Sequence, residues 1–295
     1  MTTGVARLPH AVGARPRRSP RQRAWRAFMS VLLALLILVE VLPIVWLVLQ
    51  SFKQSSEFSL HPVWSLPSGL YWQNWKTAWT TGHIQTYFKN SVLATFPSLL
   101  LMIILGLAAA FALEVMKWRG RNAVLFLFLG GILIPLQMVL LPLFTVYFHV
   151  HLINSLWSLI ITYTAFGLPL TVVLMAGYFR AVPREVLEAA TLDGASIYKA
   201  FGLIALPMVS NAILTVALVQ FFFIWNDLLF SLTFISDDSK RTIQTGLLNF
   251  AGQYGQVDWG PTFAAVSMTV LPTLVLYLVL NQRVMKGLTS GSLKG

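Results

Sequence analysis

The chain has 295 residues, of which 57% are hydrophobic and only 11% charged. A soluble domain normally carries about 25% charged residues, so water cannot be its only solvent. The lack of cysteine excludes disulfides, thiolate metal sites and cysteine nucleophiles, and leaves the formal charge of +11 to be explained by where the basic residues sit.

A membrane helix needs about 20 mainly apolar residues to cross roughly 30 Å of hydrocarbon. Residues 1–27 form a basic tail, and the first apolar run follows it, with a helix expected over 28–50. Its length and the lack of a small-residue cleavage site argue against a signal peptide, and Arg17-Arg18 followed by Ser-Pro-Arg is a poor twin-arginine context. Residues 51–86 read as an extracytoplasmic loop, 87–283 as a membrane core and 284–295 as a second tail. Within that core, spans are expected near Ser91–Met116, Ala123–Val146, Trp157–Phe179, Met208–Ile235 and Phe263–Leu280. The fold class is therefore an all-α polytopic membrane protein with six spans. Pro43, Pro97, Pro135, Pro142, Pro169 and Pro272 fall inside spans and read as packing kinks.

Basic residues set the orientation. With the N-terminus in the cytoplasm, 16 of the 21 Lys and Arg residues fall on the inner side. They lie in the N-terminal tail, around Lys117–Arg121, around Arg180–Lys199 and in the C-terminal tail. Lys53, Lys76, Lys89, Lys240 and Arg241 are left outside. Short cytoplasmic loops attract basic residues in this way, so the charge is a topology signal and needs no nucleic acid. Both termini are expected in the cytoplasm.

Charges within spans are costly, about 2.5–3.5 kcal/mol at a helix centre. Glu40 in span one reads as helix packing. Asp227 follows Trp225 and Asn226 in span five, and this polar, aromatic cluster suits a translocation pathway and a packing contact equally well. His149 and His151 fall short of the three or four ligands a metal site uses, so no metal is expected. The chain has no Gly-Lys dipeptide, hence no P-loop, and no catalytic constellation can be argued from spacing.

The stretch between spans four and five is the most informative. Val182-Pro183-Arg184-Glu185 starts a short amphipathic helix with Val186, Leu187 and Ala190 on one face. Asp193-Gly194 ends it, glycine being the residue that accepts a left-handed cap. Ile197, Phe201 and Ile204 form a second apolar stripe before Leu206-Pro207 opens span five. Two short helices bent at a glycine, with Ala189 and Ala190 leaving a surface of little bulk, make an element that another protein can approach closely.

At these residues the chain resembles a family. Glu188-Ala189-Ala190, Gly194, Ile204 and Leu206-Pro207 match the spacing of the EAA loop of ABC importer permeases, over 188–207. The likeness extends from about Tyr87 to Gly295. It includes Asn90-Ser91, Trp225-Asn226-Asp227 and the ending Lys286-Gly287-Leu288-Thr289, with a mild departure at Ser290-Gly291-Ser292-Leu293. Within the family it looks like the carbohydrate-uptake branch, in particular the maltose-type second permease subunit.

The resemblance implies a type I importer fold that pairs with a second, homologous permease and two ATPase subunits. ATP and magnesium are then used by those partners, and this chain binds no cofactor and is not an enzyme. It further implies that Glu188, Ala189, Ala190, Asp193, Gly194, Ile204, Leu206 and Pro207 contact the ATPase. Gly252, Gln253, Tyr254, Gly255 and Trp259 would reach toward an extracytoplasmic solute-binding protein. The alternative from another class is a secondary transporter or channel driven by an ion gradient, but no inverted halves are visible in the sequence.

Overall fold

The computed structural model describes residues 20–250 and 257–292, and every regular element among them is a helix. The described residues divide into two units, one up to Leu47 and the other from Val48 onward. The first unit is built on α1 (Pro20–Gln50), whose apolar side chains run all round the helix, as befits a segment solvated by lipid. Glu40 is exposed on it.

In the second unit, short helices α2 (Glu57–Leu60) and α3 (Gln73–Trp79) precede α4 (Ile84–Glu114). Next come α5 (Arg121–Ile132), α6 (Leu136–His149) and α7 (Leu156–Arg180). The connector holds α8 (Arg184–Leu192), α9 (Ile197–Lys199), a π-helical turn (Ala200–Ala205) and α10 (Leu206–Met208). The chain then runs through α11 (Ser210–Trp225), α12 (Leu229–Phe234), α13 (Ile243–Gly246) and α14 (Trp259–Ser292).

Among the described residues, four helical stretches are long and apolar enough to span a membrane: Ala24–Gln50, Ile84–Glu114, Leu156–Arg180 and Trp259–Leu280. The other two expected spans are broken. The third turns by 96° between α5 and α6, and the helices of 12 and 14 residues reach only about 18 and 21 Å each. Pro135 is therefore more than a packing kink. It cannot donate a backbone hydrogen bond, and it stands before α6 in extended conformation, with ψ of 126°. The fifth expected span, Met208–Ile235, divides into α11 and α12, and the chain turns by 75° between α9–α10 and α11. Helix bounds also depart from the expected tails, since α1 begins at Pro20 and α14 continues to Ser292.

Helices α4 and α7 make the most extensive pairing in the second unit. Small residues let them approach closely, as in membrane bundles generally. A methyl group added at Gly106 of α4 would lie 2.5 Å from Cγ2 of Thr171 on α7. Nearby, the Ser98 hydroxyl donates to the Ala94 carbonyl at 2.6 Å and to the Ile160 carbonyl of α7 at 3.4 Å.

Polar side chains tie the other end of α4 to the segment before α13. Asn90 donates to the carbonyls of Ser239 and Arg241, each at 2.9 Å, and Ser91 accepts from the Ile243 amide at 2.8 Å. The 51–83 segment has a polar core of its own. Buried Lys53 donates to Ser65 at 2.9 Å and lies over the Phe58 ring. Burial pushes the Glu57 carboxyl up, but the Gln54 and Ser68 amides outweigh it and hold the group below its ordinary value.

The α4–α7 approach is testable. Gly106→Ala should destabilise the protein by about 2 kcal/mol through overpacking against a stiff β-branched side chain. Adding Thr171→Ser, which removes Cγ2 and keeps the hydroxyl, should recover most of the loss in thermal unfolding in detergent. An unchanged midpoint for Gly106→Ala would show that this contact does not limit the packing.

Candidate functional site

Two features arise where the regular helices stop: an elbow between α7 and α11, and a cavity beside the two broken spans.

The elbow is anchored by an ion pair. Arg180, the last residue of α7, donates through Nε and Nη2 to both carboxylate oxygens of Glu114, the last residue of α4, at 2.8 and 3.0 Å. After this clamp, Pro183 in extended conformation opens α8. At its far end the Asp193 amide bonds the Ala189 carbonyl (2.9 Å), the Gly194 amide that of Thr191 (3.1 Å) and the Ala195 amide that of Ala190 (2.9 Å). Gly194 adopts φ of +79°, the left-handed conformation expected of it. No atom lies within 4 Å of where its Cβ would be, so the backbone angle alone demands glycine.

The second arm starts at Ser196, whose Oγ accepts from the Lys199 amide, and passes into the π-helical turn. Phe201 packs on Phe111 of α4, with ring centroids 4.9 Å apart, and Phe111 meets Phe179 of α7 edge-on at 5.6 Å. The elbow therefore rests on the ends of the α4–α7 pair.

Its faces divide the expected contact residues. Glu188, Ala189, Asp193 and Gly194 are exposed, beside Leu192 and Tyr198, which are 89% and 84% exposed. Ala190 is buried within the chain, and Leu187 on the same stripe packs against the core shared by α4, α7 and α11. Its small size serves the elbow's seating on the bundle and does not widen the outer surface. Ile204 and Leu206 are half-buried. Pro207 is exposed within α10, and the span begins only after the 75° turn at Val209. Leu206-Pro207 therefore belongs to the elbow, and the chain bends sharply between it and the span that it was expected to open.

Trp225, Asn226 and Asp227 separate in three directions. Trp225 is buried, stacks on Phe221 at 5.4 Å and donates to the Thr269 carbonyl of α14 at 3.2 Å, so it is a packing residue. Asn226 is exposed and accepts from Gln244 at 3.2 Å. Asp227 lies in the break after α11, outside any helix. It accepts from the amides of Phe230 and Ser231 at 3.3 and 3.1 Å, capping α12, and from the Tyr163 hydroxyl at 2.8 Å.

Asp227 and Tyr163 border a cavity of about 300 Å³. Gly131 comes to it from the last turn of α5, Ile134 from the α5–α6 break, and Gln220 and Phe230 from α11 and α12. Gln220 donates to the Gly167 carbonyl and to Thr171, each at 3.0 Å. Sequence reading missed Tyr163 and Gln220, although each is a polar side chain within an apolar run. It also missed the Glu114–Arg180 clamp, whose partners stand 66 positions apart. Trp259 begins α14 and is about half exposed, whereas Gly252, Gln253, Tyr254 and Gly255 lie outside the described residues.

Residues 102–284 match the family model described as the binding-protein-dependent transport system inner membrane component. The chain belongs to that family. It is 34% identical over 265 residues to a probable ABC transporter permease protein of Bacillus subtilis, covering 90% of this chain and 87% of the relative. It is 33% identical over 273 residues to a diacetylchitobiose uptake system permease protein of Streptomyces coelicolor, covering 91% and 90%. Its fold resembles a chain in the crystal structure of a bacterial ABC transporter involved in the import of the acidic polysaccharide alginate. The TM-score there is 0.78, at 19% identity, over 91% of this chain and 99% of the other. The chain is thus a multi-pass permease subunit of a binding-protein-dependent importer, and the reading as an ion-gradient transporter falls.

In this permease the Asp227 carboxylate holds α12 in place. Asp227→Ala should remove its cap at a cost of about 1 kcal/mol, which corresponds to roughly fivefold faster amide exchange. Hydrogen exchange read at Phe230 and Ser231 checks this, and unchanged rates would show that the neighbouring packing alone sets α12.

Proposed function

We propose that the permease carries a sugar or related polyol by alternating access, paired with a second homologous permease and driven by two ATPase subunits that use ATP and magnesium. A solute-binding protein on the outer side would deliver the solute. The observation that carries the pathway assignment is that the breaks of both interrupted spans meet one cavity. Irregular backbone at membrane depth is tolerated where it lines a water-filled space or is buried in protein. Aromatic faces at Tyr163 and Phe230 and polar groups at Gln220 and Asp227 suit a solute that is ring-shaped and hydroxyl-rich. The diacetylchitobiose permease relative supports the same class.

The exposed face of the elbow, with Glu188, Ala189, Leu192, Asp193 and Tyr198, is the surface offered to the ATPase. Its support is mechanical. The second arm packs through Phe201 on the ends of α4 and α7, and the joint at Val209 leads into α11, which lines the cavity. A push at the elbow is thereby passed to the helices around the solute. The stretch from Gly252 to Trp259 would face the binding protein.

The distribution of Lys and Arg supports cytoplasmic termini, and membership of an inner-membrane transport family supports a prokaryotic inner membrane. Single cysteines can be introduced on a background that has none. Positions 119 and 193 should resist an impermeant thiol reagent in intact cells, and positions 61 and 254 should label. Strong labelling of 193 would reverse the orientation.

The elbow assignment has its own test. Gly194→Val forces a β-branched residue to positive φ, at a strain of about 1–3 kcal/mol. The variant should insert and pair with its partner permease, yet lose ATPase co-purification and uptake into vesicles. Glu188→Lys should weaken both more mildly by reversing a charge on the docking face. Normal assembly and uptake in both variants would reduce the elbow to a connector.

A further inference from the structure

We propose that a second cavity, of about 430 Å³ between the elbow and the α4–α5 turn, binds a phosphate-bearing anion. It lies apart from the Asp227 cavity and shares no lining residue with it. Four cations border it, Lys117, Arg121, Arg180 and Arg184, against two carboxylates, Glu114 and Glu188. They arrive from two stretches of chain far apart in sequence. Lys117 lies in the turn after α4 and Arg121 begins α5, while Arg180 ends α7 and Arg184 begins α8.

Pairing within the chain leaves most of this charge available. Arg180 already engages both oxygens of Glu114. Arg121 makes one long hydrogen bond, 3.5 Å to the Met116 carbonyl, and it and Arg184 lie within electrostatic reach of Glu114 without forming an ion pair with it. Among the described residues, Lys117 and Arg184 have no carboxylate within the 4.0 Å of an ion pair. Three cations thus converge on one hollow with a single unpaired carboxylate, Glu188, among them.

A basic loop on the cytoplasmic side needs no pocket to orient a membrane protein, so topology alone explains the charges but not the hollow. Guanidinium forks match phosphate oxygens bidentately, and an ammonium adds a point charge, so the donor set suits phosphate. The cavity's apolar side, with Val115, Val182 and Leu187, sits at the ends of membrane helices. That combination fits the glycerol and phosphate of a lipid headgroup, since basic pockets between membrane helices hold such groups. Free inorganic phosphate offers the same oxygens without the apolar part. Because Arg184, Leu187 and Glu188 belong to α8, occupancy would brace the elbow's first arm against α4.

The test reads binding directly and does not depend on transport or ATPase coupling. The full chain, with the subunits it brings, is purified into neutral detergent from membranes containing phosphatidylglycerol and cardiolipin. Retained lipid is counted by mass spectrometry for the unmodified protein and for Lys117→Gln with Arg184→Gln. A second arm measures radiolabelled inorganic phosphate by equilibrium dialysis after exchange into phosphatidylcholine vesicles.

Each lost charge-assisted contact should weaken binding by about tenfold. Retained anionic lipid that falls in the variant identifies a headgroup as the source. Saturable phosphate binding that falls in the variant, without lipid retention, identifies the soluble anion. Lys117→Gln alone, at an exposed position, serves if the double variant fails to insert. Equal lipid and phosphate binding with and without these cations would overturn the site.

Discussion

The close approach of α4 to α7 is the constraint on which the second unit's architecture depends. Apolar side chains gain little by meeting one another in lipid, so helix pairing must come from packing and from polar contacts. Gly106 against Thr171 and Ser98 against the Ile160 carbonyl provide both along the same pair. Holding these helices together brings Glu114 to Arg180 at one end, and Phe111 and Phe179 into contact beside them. Without that spacing the second arm of the elbow would have no aromatic seat.

The broken spans show how backbone chemistry makes room for function. An uninterrupted helix satisfies its own amides and carbonyls and offers a ligand only side chains. The turn at Leu133–Pro135 and the break around Asp227 give up that self-sufficiency. At the second break the carboxylate restores part of it by capping α12, while the Tyr163 hydroxyl donates a further hydrogen bond to it. A bound solute would have to compete with these bonds, so this network sets the cavity's empty shape.

The elbow divides its labour between faces. Inward positions such as Ala190, Leu187 and Phe201 fix its seating, and outward positions leave Leu192 and Tyr198 in the open. Large apolar groups exposed at the tip of a short bent element are costly in water unless a partner covers them. The joint at Val209 then decouples the direction of the elbow from that of α11.

Sequence alone determined the solvent, the element type and the local bends. Apolar run length defined the spans, because a bilayer of fixed thickness imposes a fixed helix length. The left-handed turn at Gly194 was legible because only glycine accepts that angle cheaply. Only the tertiary structure decided which residues meet. Tyr163 and Asp227 are 64 positions apart, and no periodicity within one helix links them. Ala190 was placed both on the apolar stripe with Leu187 and on the open surface with Ala189, and its burial agrees with the first only, because an amphipathic pattern states that two faces differ, not what covers each. The break at Pro135 was read as a kink for a related reason: a proline removes one donor wherever it stands, and the neighbouring helices determine whether the chain bends slightly there or turns away.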